Sequence, residues 1–200
     1  MGLNMKWFLI FSVFFVLNSQ AKTILFLGDS LTEGYQLAKE DAFPALIEEE
    51  LKKKYPDVKV INGGVSGATT ASGLKRLGWY RKVKPDILVL ALGANDGLRG
   101  LELKESEKNL SQVIEQAQLE KMKVLLVGMK MPTNYGEPYR TNFAKLFPAL
   151  AKRYDLPLIP FLLEGVGGKA EFNIADGIHP NPAGHKIMAQ TVLKVLVKLL

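Results

Sequence analysis

The chain has 200 residues, of which 48% are apolar and 23% charged, and it is long enough to bury the core of one globular domain. It contains no cysteine, which excludes disulfides, thiolate catalysis and cysteine-bound zinc. The formal net charge of +6 comes mainly from lysines in mixed-charge stretches, which are typical of solvated helix faces. The sequence has no stripe of arginine and aromatic residues of the kind that would predict nucleic-acid binding. The positive charge is nevertheless compatible with a weak attraction to anionic lipid surfaces.

Residues 1–21 have the pattern of a secretory signal. Lys6 precedes an apolar run at 7–17, and the segment closes with a small-x-small ending at Ala21. The apolar run is short for a bilayer span, so an uncleaved anchor is the alternative interpretation. We expect cleavage after Ala21, export to the periplasm or the medium, and a mature domain at 22–200 that does not span a membrane.

Short apolar runs alternate with longer amphipathic runs through the rest of the chain. The apolar runs predict strands at 23–28, 58–62, 86–92, 123–129 and 156–160, and the amphipathic runs predict helices at 42–54, 71–83, 104–121, 138–154 and 182–199. Continuous apolar runs of this length are typical of strands that are buried on both faces. The strict alternation predicts one α/β domain, with a parallel sheet and helices on both sides.

Four polar or glycine-rich breaks interrupt this pattern, at 28–31, 63–69, 93–97 and 176–180. The first three directly follow the first three predicted strands. Ligands bind to parallel α/β sheets at the carboxyl ends of the strands. Because these ends meet at one edge of the sheet, we expect the breaks to form the functional site.

Ser30 lies in the first break, directly after a predicted buried strand. A serine at this place is a candidate nucleophile for acyl transfer. The alternative is helix capping, for which Asp29, Ser30 and Thr32 are all suited. Glu33, three residues after Ser30, would then complete a capping box. The two interpretations are compatible, since the N–H groups at the start of a helix would lie near a developing oxyanion.

The chain contains two histidines, and only one of them lies in a break of the pattern. His179 follows Asp176 by three residues and precedes a proline, so a tight turn can aim the carboxylate at one ring nitrogen and leave the other for a serine. The alternative is that both are turn residues that bond to their own backbone. His185 lies within an amphipathic helix pattern, and we expect it to be a structural imidazole at the surface or half-buried.

A second serine lies in a sequence close to a hydrolase motif. Gly64-Val65-Ser66-Gly67-Ala68 nearly matches the Gly-x-Ser-x-Gly elbow of α/β-hydrolases, and it also lies between a strand and a helix. Ala68 stands in place of the closing glycine, and such hydrolases usually have a longer chain. We therefore expect that Ser66 is not the nucleophile.

Together, the four breaks resemble the motif blocks of the SGNH or GDSL hydrolase family. The resemblance runs in family order through Gly28-Asp29-Ser30-Leu31, Ser66-Gly67-Ala68-Thr69, Gly93-Ala94-Asn95-Asp96 and Asp176-Gly177-Ile178-His179-Pro180, and it covers nearly the whole mature chain. Within the family, the sequence is most similar to periplasmic multifunctional thioesterases that are also arylesterases and lysophospholipases. The segments 97–100 and 132–136 extend this similarity.

The resemblance implies a catalytic triad, with Ser30 as the nucleophile, His179 as the base and then the acid, and Asp176 as the residue that orients the imidazole. It also implies an oxyanion hole made of the backbone N–H groups of Ser30 and Gly67 and the side-chain amide of Asn95. No metal or organic cofactor is implied.

The implied fold is a three-layer α/β/α sandwich with a five-stranded parallel sheet in flavodoxin-like order. The implied function is a serine esterase that hydrolyses carboxylic esters and thioesters, including acyl and aryl esters and lysophospholipids, through an acyl-enzyme. We expect a small-molecule substrate of lipid origin and a monomeric enzyme that binds no nucleic acid.

Apolar residues in the breaks and nearby loops are the candidate contacts to an acyl chain, and they favour such a chain over a sugar. They are Leu31, Tyr35, Leu98, Met131, Tyr135 and Ile178. Ala68 and Ala94 stand where close relatives often carry aspartate and glycine, which leaves the substrate preference open. A carbohydrate O-deacetylase is the alternative enzyme. A non-catalytic module that binds an anion in the glycine loops is the alternative of a different class.

Overall fold

The sheet has five parallel strands, as the alternating pattern predicts, and they lie in the order that the resemblance implies. The computed structural model describes residues 22–200. Its five parallel strands are β1 (Thr23–Gly28), β2 (Lys59–Gly64), β3 (Ile87–Ala91), β4 (Lys123–Val127) and β5 (Leu158–Ile159). They lie in the flavodoxin-like order β2-β1-β3-β4-β5. The predicted signal at 1–21 lies outside the described residues.

The helices form two groups with the sheet between them. They are α1 (Ser30–Glu33), α2 (Phe43–Lys52), α3 (Gly73–Trp79), α4 (Ala94–Leu98), α5 (Leu103–Leu119), α6 (Glu137–Tyr154) and α7 (Pro182–Leu196). Helix α2 packs against α7, whereas α5 packs against α3 and α6. Within 22–200, no helix is both long enough and apolar enough to cross a bilayer. The two groups of helices, with the parallel sheet between them, confirm the predicted α/β/α sandwich.

The core lies on both faces of the sheet, which explains why the strands are continuous apolar runs. Every residue of β3 is buried. Phe26 of β1 packs edge-on against Phe43 of α2, with ring centroids 5.5 Å apart. Phe143 and Phe147 of α6 form a second edge-on pair at 5.6 Å. All four rings are fully buried, so they stabilise the packing of helices on the sheet.

Several elements differ in length from their predicted bounds. The predicted helix at 71–83 ends as α3 at Trp79, and a separate 3₁₀ turn follows at Arg81–Val83. Gly78 in its last turn disfavours continuation of the helix. Strand β5 has only two residues. Helix α4 was not predicted, and α1 was considered only as a helix start capped near Ser30, because four or five residues are too few to establish a helical period.

Strand β2 continues to Gly64, two residues beyond its predicted end, because the two glycines were interpreted as a turn. A Cβ atom at Gly64 would lie 2.1 Å from the backbone nitrogen of Glu33. Only glycine therefore allows the end of β2 to approach α1 so closely. This approach brings the loop after β2 next to the helix that begins at Ser30.

Candidate active site

Ser30 is the first residue of α1, at the carboxyl end of β1. The residue before it caps the helix, since the Asp29 carboxylate accepts a hydrogen bond from the Leu31 N–H at 3.0 Å. The alternative capping box between Ser30 and Glu33 does not form, because the helix begins one residue earlier than such a box requires. Ser30 is thus free of a capping role, and its side chain is directed to His179.

The side chains of Ser30, His179 and Asp176 form one continuous chain of hydrogen bonds. His179 Nε2 lies 2.9 Å from Ser30 Oγ, and His179 Nδ1 lies 2.6 Å from Asp176 Oδ2. The other carboxylate oxygen, Asp176 Oδ1, accepts from the backbone N–H groups of Ile178 and His179, each at 3.0 Å. The aspartate therefore bonds both to the backbone of its own turn and to the imidazole of His179.

The charge state of Asp176 suits this arrangement. Partial burial acts to raise its pKa, but the N–H groups of His179 and Ile178 and the His179 ring together lower the pKa below its ordinary value. The carboxylate is therefore ionised at neutral pH, where it accepts the hydrogen bond from Nδ1–H and fixes the tautomer that leaves Nε2 as an acceptor.

Two of the three candidate oxyanion donors, Gly67 and Asn95, lie on neighbouring segments that follow β2 and β3. Asn95, in α4, donates from Nδ2 to the Ala68 carbonyl at 3.1 Å. The guanidinium of Arg99 donates to the Gly67 carbonyl at 2.9 Å. Gly67 has a φ of +74°, which favours glycine. The loop after β2 is therefore held by two side chains from the loop after β3.

A cavity of about 620 Å³ opens beside Ser30, His179 and Asn95. Its remaining lining is mostly apolar and comes from four loops: Leu31, Ala94, Leu98, Met129, Met131, Pro132, Phe161, Leu163 and Ile178, with Lys130 and Arg140 among the polar residues. A groove of similar volume between α2 and α7 contains none of these side chains. Of these two, the cavity at Ser30 is thus the one that combines an apolar surface with the candidate catalytic side chains.

Four of the six expected acyl-chain contacts line this cavity, namely Leu31, Leu98, Met131 and Ile178. The two tyrosines are not among the lining residues, although both lie beside residues that are. The Tyr35 ring lies against the His179 ring, with centroids 4.6 Å apart. The Tyr135 hydroxyl donates to the Leu98 carbonyl at 2.8 Å.

Apart from Met131, sequence reasoning missed the lining residues that follow β4 and β5, such as Met129, Phe161 and Leu163. The only signal for them in the sequence was their position after the carboxyl ends of two strands.

Sequence reasoning also missed Arg76, which is buried and donates to the carbonyl groups of Gly28 and Gly63, the former at 2.9 Å. Burial lowers the pKa of Arg76. Its guanidinium fixes the ends of β1 and β2 beneath the candidate nucleophile.

Asp29 adds a second carboxyl group near Ser30. It is only 2% exposed, and burial raises its pKa to about 6, against the opposing effects of the Leu31 N–H and the charges of His179 and Arg76. The residue that caps α1 therefore changes its charge close to neutral pH.

Ser66 and His185, the serine and histidine that were not expected to be catalytic, form hydrogen bonds outside the Ser30–His179–Asp176 chain. Both the N–H and the hydroxyl of Ser66 donate to the Glu33 carboxylate, the N–H at 2.7 Å. His185 accepts at Nδ1 from the Phe43 N–H at 3.0 Å. It is 1% exposed, so the expectation of a surface or half-buried ring is wrong. Burial lowers the pKa of His185 to about 4, which keeps the ring neutral.

Comparison with known proteins confirms the resemblance of the motif blocks. Residues 26–187 match the GDSL-like Lipase/Acylhydrolase family. The chain is 39% identical over 190 residues to the arylesterase of Vibrio mimicus, covering 93% of this chain and 95% of that protein. It is 35% identical over 198 residues to thioesterase 1/protease 1/lysophospholipase L1 of Escherichia coli K12, covering 97% and 94%. The crystal structure of TesA superposes with a TM-score of 0.86 and 38% identity, covering 90% of this chain and all of the other.

Proposed function

Because the chain belongs to the GDSL-like lipase/acylhydrolase family and is a carboxylic ester hydrolase, we propose that it cleaves acyl esters and thioesters through an acyl-enzyme on Ser30. The observation that carries this proposal is the chain of hydrogen bonds from Ser30 Oγ through His179 to Asp176. All three side chains belong to one polypeptide, so the proposed reaction needs no residue from a second copy, and we propose a monomer.

In the first step, Ser30 Oγ attacks the carbonyl carbon of the substrate while its proton passes to His179 Nε2. Asp176 keeps the imidazole oriented and stabilises the imidazolium that forms. When the tetrahedral intermediate collapses, Nε2 gives the proton to the leaving oxygen or sulfur. The alcohol or thiol departs and the acyl group stays on Ser30.

In the second step, water takes the place of the leaving group. His179 Nε2 accepts a proton from the water as its oxygen attacks the acyl-enzyme carbonyl, and then returns that proton to Ser30 Oγ. The carboxylic acid is released and the free serine is restored. Every proton transfer uses the same ring nitrogen, so this chain needs no cofactor.

The negative charge on the carbonyl oxygen requires donors that are already in position. The Ser30 N–H lies in the first turn of α1, where backbone N–H groups have no partner within the helix. Asn95 has two amide N–H groups and uses one on Ala68, which leaves the second for the oxyanion. The Gly67 N–H is the third proposed donor, on the loop that Asn95 and Arg99 hold.

The apolar lining of the cavity supports an acyl chain as the group that binds beside Ser30. The arylesterase and thioesterase/lysophospholipase names of the relatives support aryl esters, thioesters and lysophospholipids as substrates. We place the reaction outside the cytoplasm, after cleavage of residues 1–21. An intact mass that still includes those residues in the exported protein would contradict this placement.

Covalent labelling with a fluorophosphonate tests the nucleophile. Ser30→Ala should abolish labelling, and the matched variant Ser66→Ala should retain it. The opposite result would overturn the assignment.

Hydrolysis of p-nitrophenyl esters of graded chain length, measured beside release of acetate from acetylated xylan, tests the substrate class. We expect kcat/KM to increase with chain length until the cavity is full. Preference for acetylated xylan would identify a carbohydrate O-deacetylase instead.

A further inference from the structure

Two adjoining segments form an exposed face at the edge of the sheet opposite to Ser30. One segment, 79–84, links α3 to the strand β3, and the other, 119–123, links α5 to the strand β4. Arg81 Nε donates to Glu120 Oε1 at 2.8 Å, so the two segments touch. We call these two segments the Trp79 face.

The Trp79 face is unusually apolar for a surface. Leu119 is 77% exposed, Trp79 is 60% exposed and Val83 is 51% exposed. These are the three most exposed large hydrophobic side chains within 22–200. Leu119 directly precedes Glu120, whose partner Arg81 lies between Trp79 and Val83 in the chain, so the three side chains belong to one exposed region. Exposed apolar residues in one region mark a contact surface more often than those scattered singly.

The same face carries a concentrated positive charge. Arg81 is neutralised by Glu120, the only acidic residue in the two segments. Lys82, Lys84 and Lys121 are exposed and pair with no carboxylate in the described part of the chain. Lys123 donates only to the carbonyl of Leu199. Four lysine charges therefore remain uncompensated.

Two of these lysines occupy backbone positions that favour glycine. Lys84 has a φ of 45° and Lys121 a φ of 64°, both in the left-handed region. Each follows the end of a helix and precedes a strand, where glycine is the residue without strain. Lysine at these two places is thus not explained by the stability of the turn.

We propose that the Trp79 face binds the surface of an anionic lipid bilayer. Lysine ammonium groups are attracted to anionic headgroups, while tryptophan and aliphatic side chains enter the boundary between headgroups and acyl chains. A nucleic acid fits the face less well. It would meet the lysines and could stack one base on Trp79, but Leu119 and Val83 present aliphatic surface that a nucleic acid leaves uncovered.

Binding through this face turns the catalytic groups away from the bilayer. The strands begin at the Trp79 face and end at the edge that carries Ser30, and β1 has six residues, which corresponds to roughly 20 Å. The bound enzyme would therefore take its substrate from the aqueous phase. Turnover of a soluble short-chain ester should be the same with and without vesicles.

Tryptophan fluorescence of the mature protein tests the proposal. The chain has two tryptophans, and the expected cleavage after Ala21 removes Trp7 together with the apolar run that could bind lipid by itself, so Trp79 is the only reporter. We expect a blue shift of its emission with vesicles that contain phosphatidylglycerol. No shift is expected with phosphatidylcholine alone, and high salt should reverse the shift.

The variant Lys84→Gly/Lys121→Gly removes two charges from positions where glycine is the less strained residue, so loss of folding does not explain its result. We expect its partition coefficient on anionic vesicles to fall by about fivefold for each lysine removed. The control Lys104→Gln/Lys145→Gln removes two exposed charges outside the face and should bind almost normally.

Equal loss in both double variants would show attraction to net charge alone and would overturn the proposal. An unshifted Trp79 emission on anionic vesicles would overturn it as well. A shift that appears with a single-stranded oligonucleotide and not with vesicles would identify a nucleic-acid surface instead.

Discussion

The carboxylate of Glu33 accepts two hydrogen bonds from Ser66, one from its backbone N–H at 2.7 Å and one from its hydroxyl. Glu33 is the last residue of α1, the helix that begins at Ser30. Ser66 directly precedes Gly67. The contact therefore ties the helix of the proposed nucleophile to the loop of a proposed oxyanion donor.

Glu33→Ala should lower kcat by about tenfold with little change in KM, because loss of a hydrogen bond to a charged group allows the donor loop to move. Glu33→Gln should restore most of the activity, since its amide oxygen still accepts from the Ser66 N–H. Steady-state kinetics of both variants, with thermal unfolding as the control, checks this. An unchanged kcat in Glu33→Ala would mean that Asn95 and Arg99 hold the loop without it.

Sequence patterns predicted those features that depend on residues close together in the chain. The apolar runs located the strands, because helices cover both faces of the sheet. The spacing of Asp176 and His179 predicted a turn that aims both side chains, and the structure has such a turn.

Features that depend on distant residues were not predicted. Glu33 and Ser66 are 33 positions apart and lie together only because Gly64 admits the close approach of β2 to α1. Arg76 lies within the predicted helix at 71–83, and its guanidinium is buried against two strand ends. No local period distinguishes such a residue from a solvated one.

Filling the cavity should shorten the preferred acyl chain. Leu98→Trp places a larger side chain in the lining, and we expect kcat/KM to fall about fourfold for each methylene that no longer fits, with acetate esters little affected. Leu101→Trp is the matched control, since Leu101 is an exposed leucine on the same segment outside the lining. A uniform loss across all chain lengths would contradict an acyl-binding role for this cavity.

His185 should make the folded protein sensitive to acid. Its pKa is about 4 in the folded state, whereas an unperturbed histidine in the unfolded chain has a pKa of 6.5, so only the unfolded chain takes up a proton between these values. The free energy of unfolding is therefore unaffected by this titration above pH 6.5. It decreases by about 3 kcal/mol as the pH falls from 6.5 toward 4.

His185→Asn keeps an acceptor for the Phe43 N–H and removes this titration. The difference in unfolding free energy between the wild type and His185→Asn, from urea titrations, should therefore change by about that amount across the interval. A constant difference would contradict the neutral buried ring.

Asp29 should act in the opposite direction. Its pKa is raised to about 6, so the folded state takes up a proton as the pH falls from 6 toward 3.8 and is stabilised by it. Asp29→Asn retains an oxygen for the Leu31 N–H and removes the buried charge. We expect it to raise the unfolding free energy above pH 6, by up to about 3 kcal/mol, and to have little effect near pH 4. Equal effects at both pH values would contradict the raised pKa.

Asn95 combines a structural hydrogen bond with a proposed catalytic one, and two variants separate them. Asn95→Ala removes both amide N–H groups. An oxyanion donor matters most when charge develops on the carbonyl oxygen, so kcat should fall by about a hundred- to a thousandfold while KM changes little.

Arg99→Ala removes only the other bond that holds the same loop, the one to the Gly67 carbonyl at 2.9 Å. If Asn95 merely held the loop through Ala68, the two variants would lose similar amounts of Tm and of kcat, and both would regain activity on cooling. If its second N–H stabilises the oxyanion, they should differ little in Tm but by about a hundredfold or more in kcat, since about 3 to 4 kcal/mol of transition-state stabilisation is lost in one of them only. Kinetics and thermal unfolding of both variants on the same preparations decide between these outcomes, and a well-folded Asn95→Ala with near-normal kcat would remove Asn95 from the oxyanion hole.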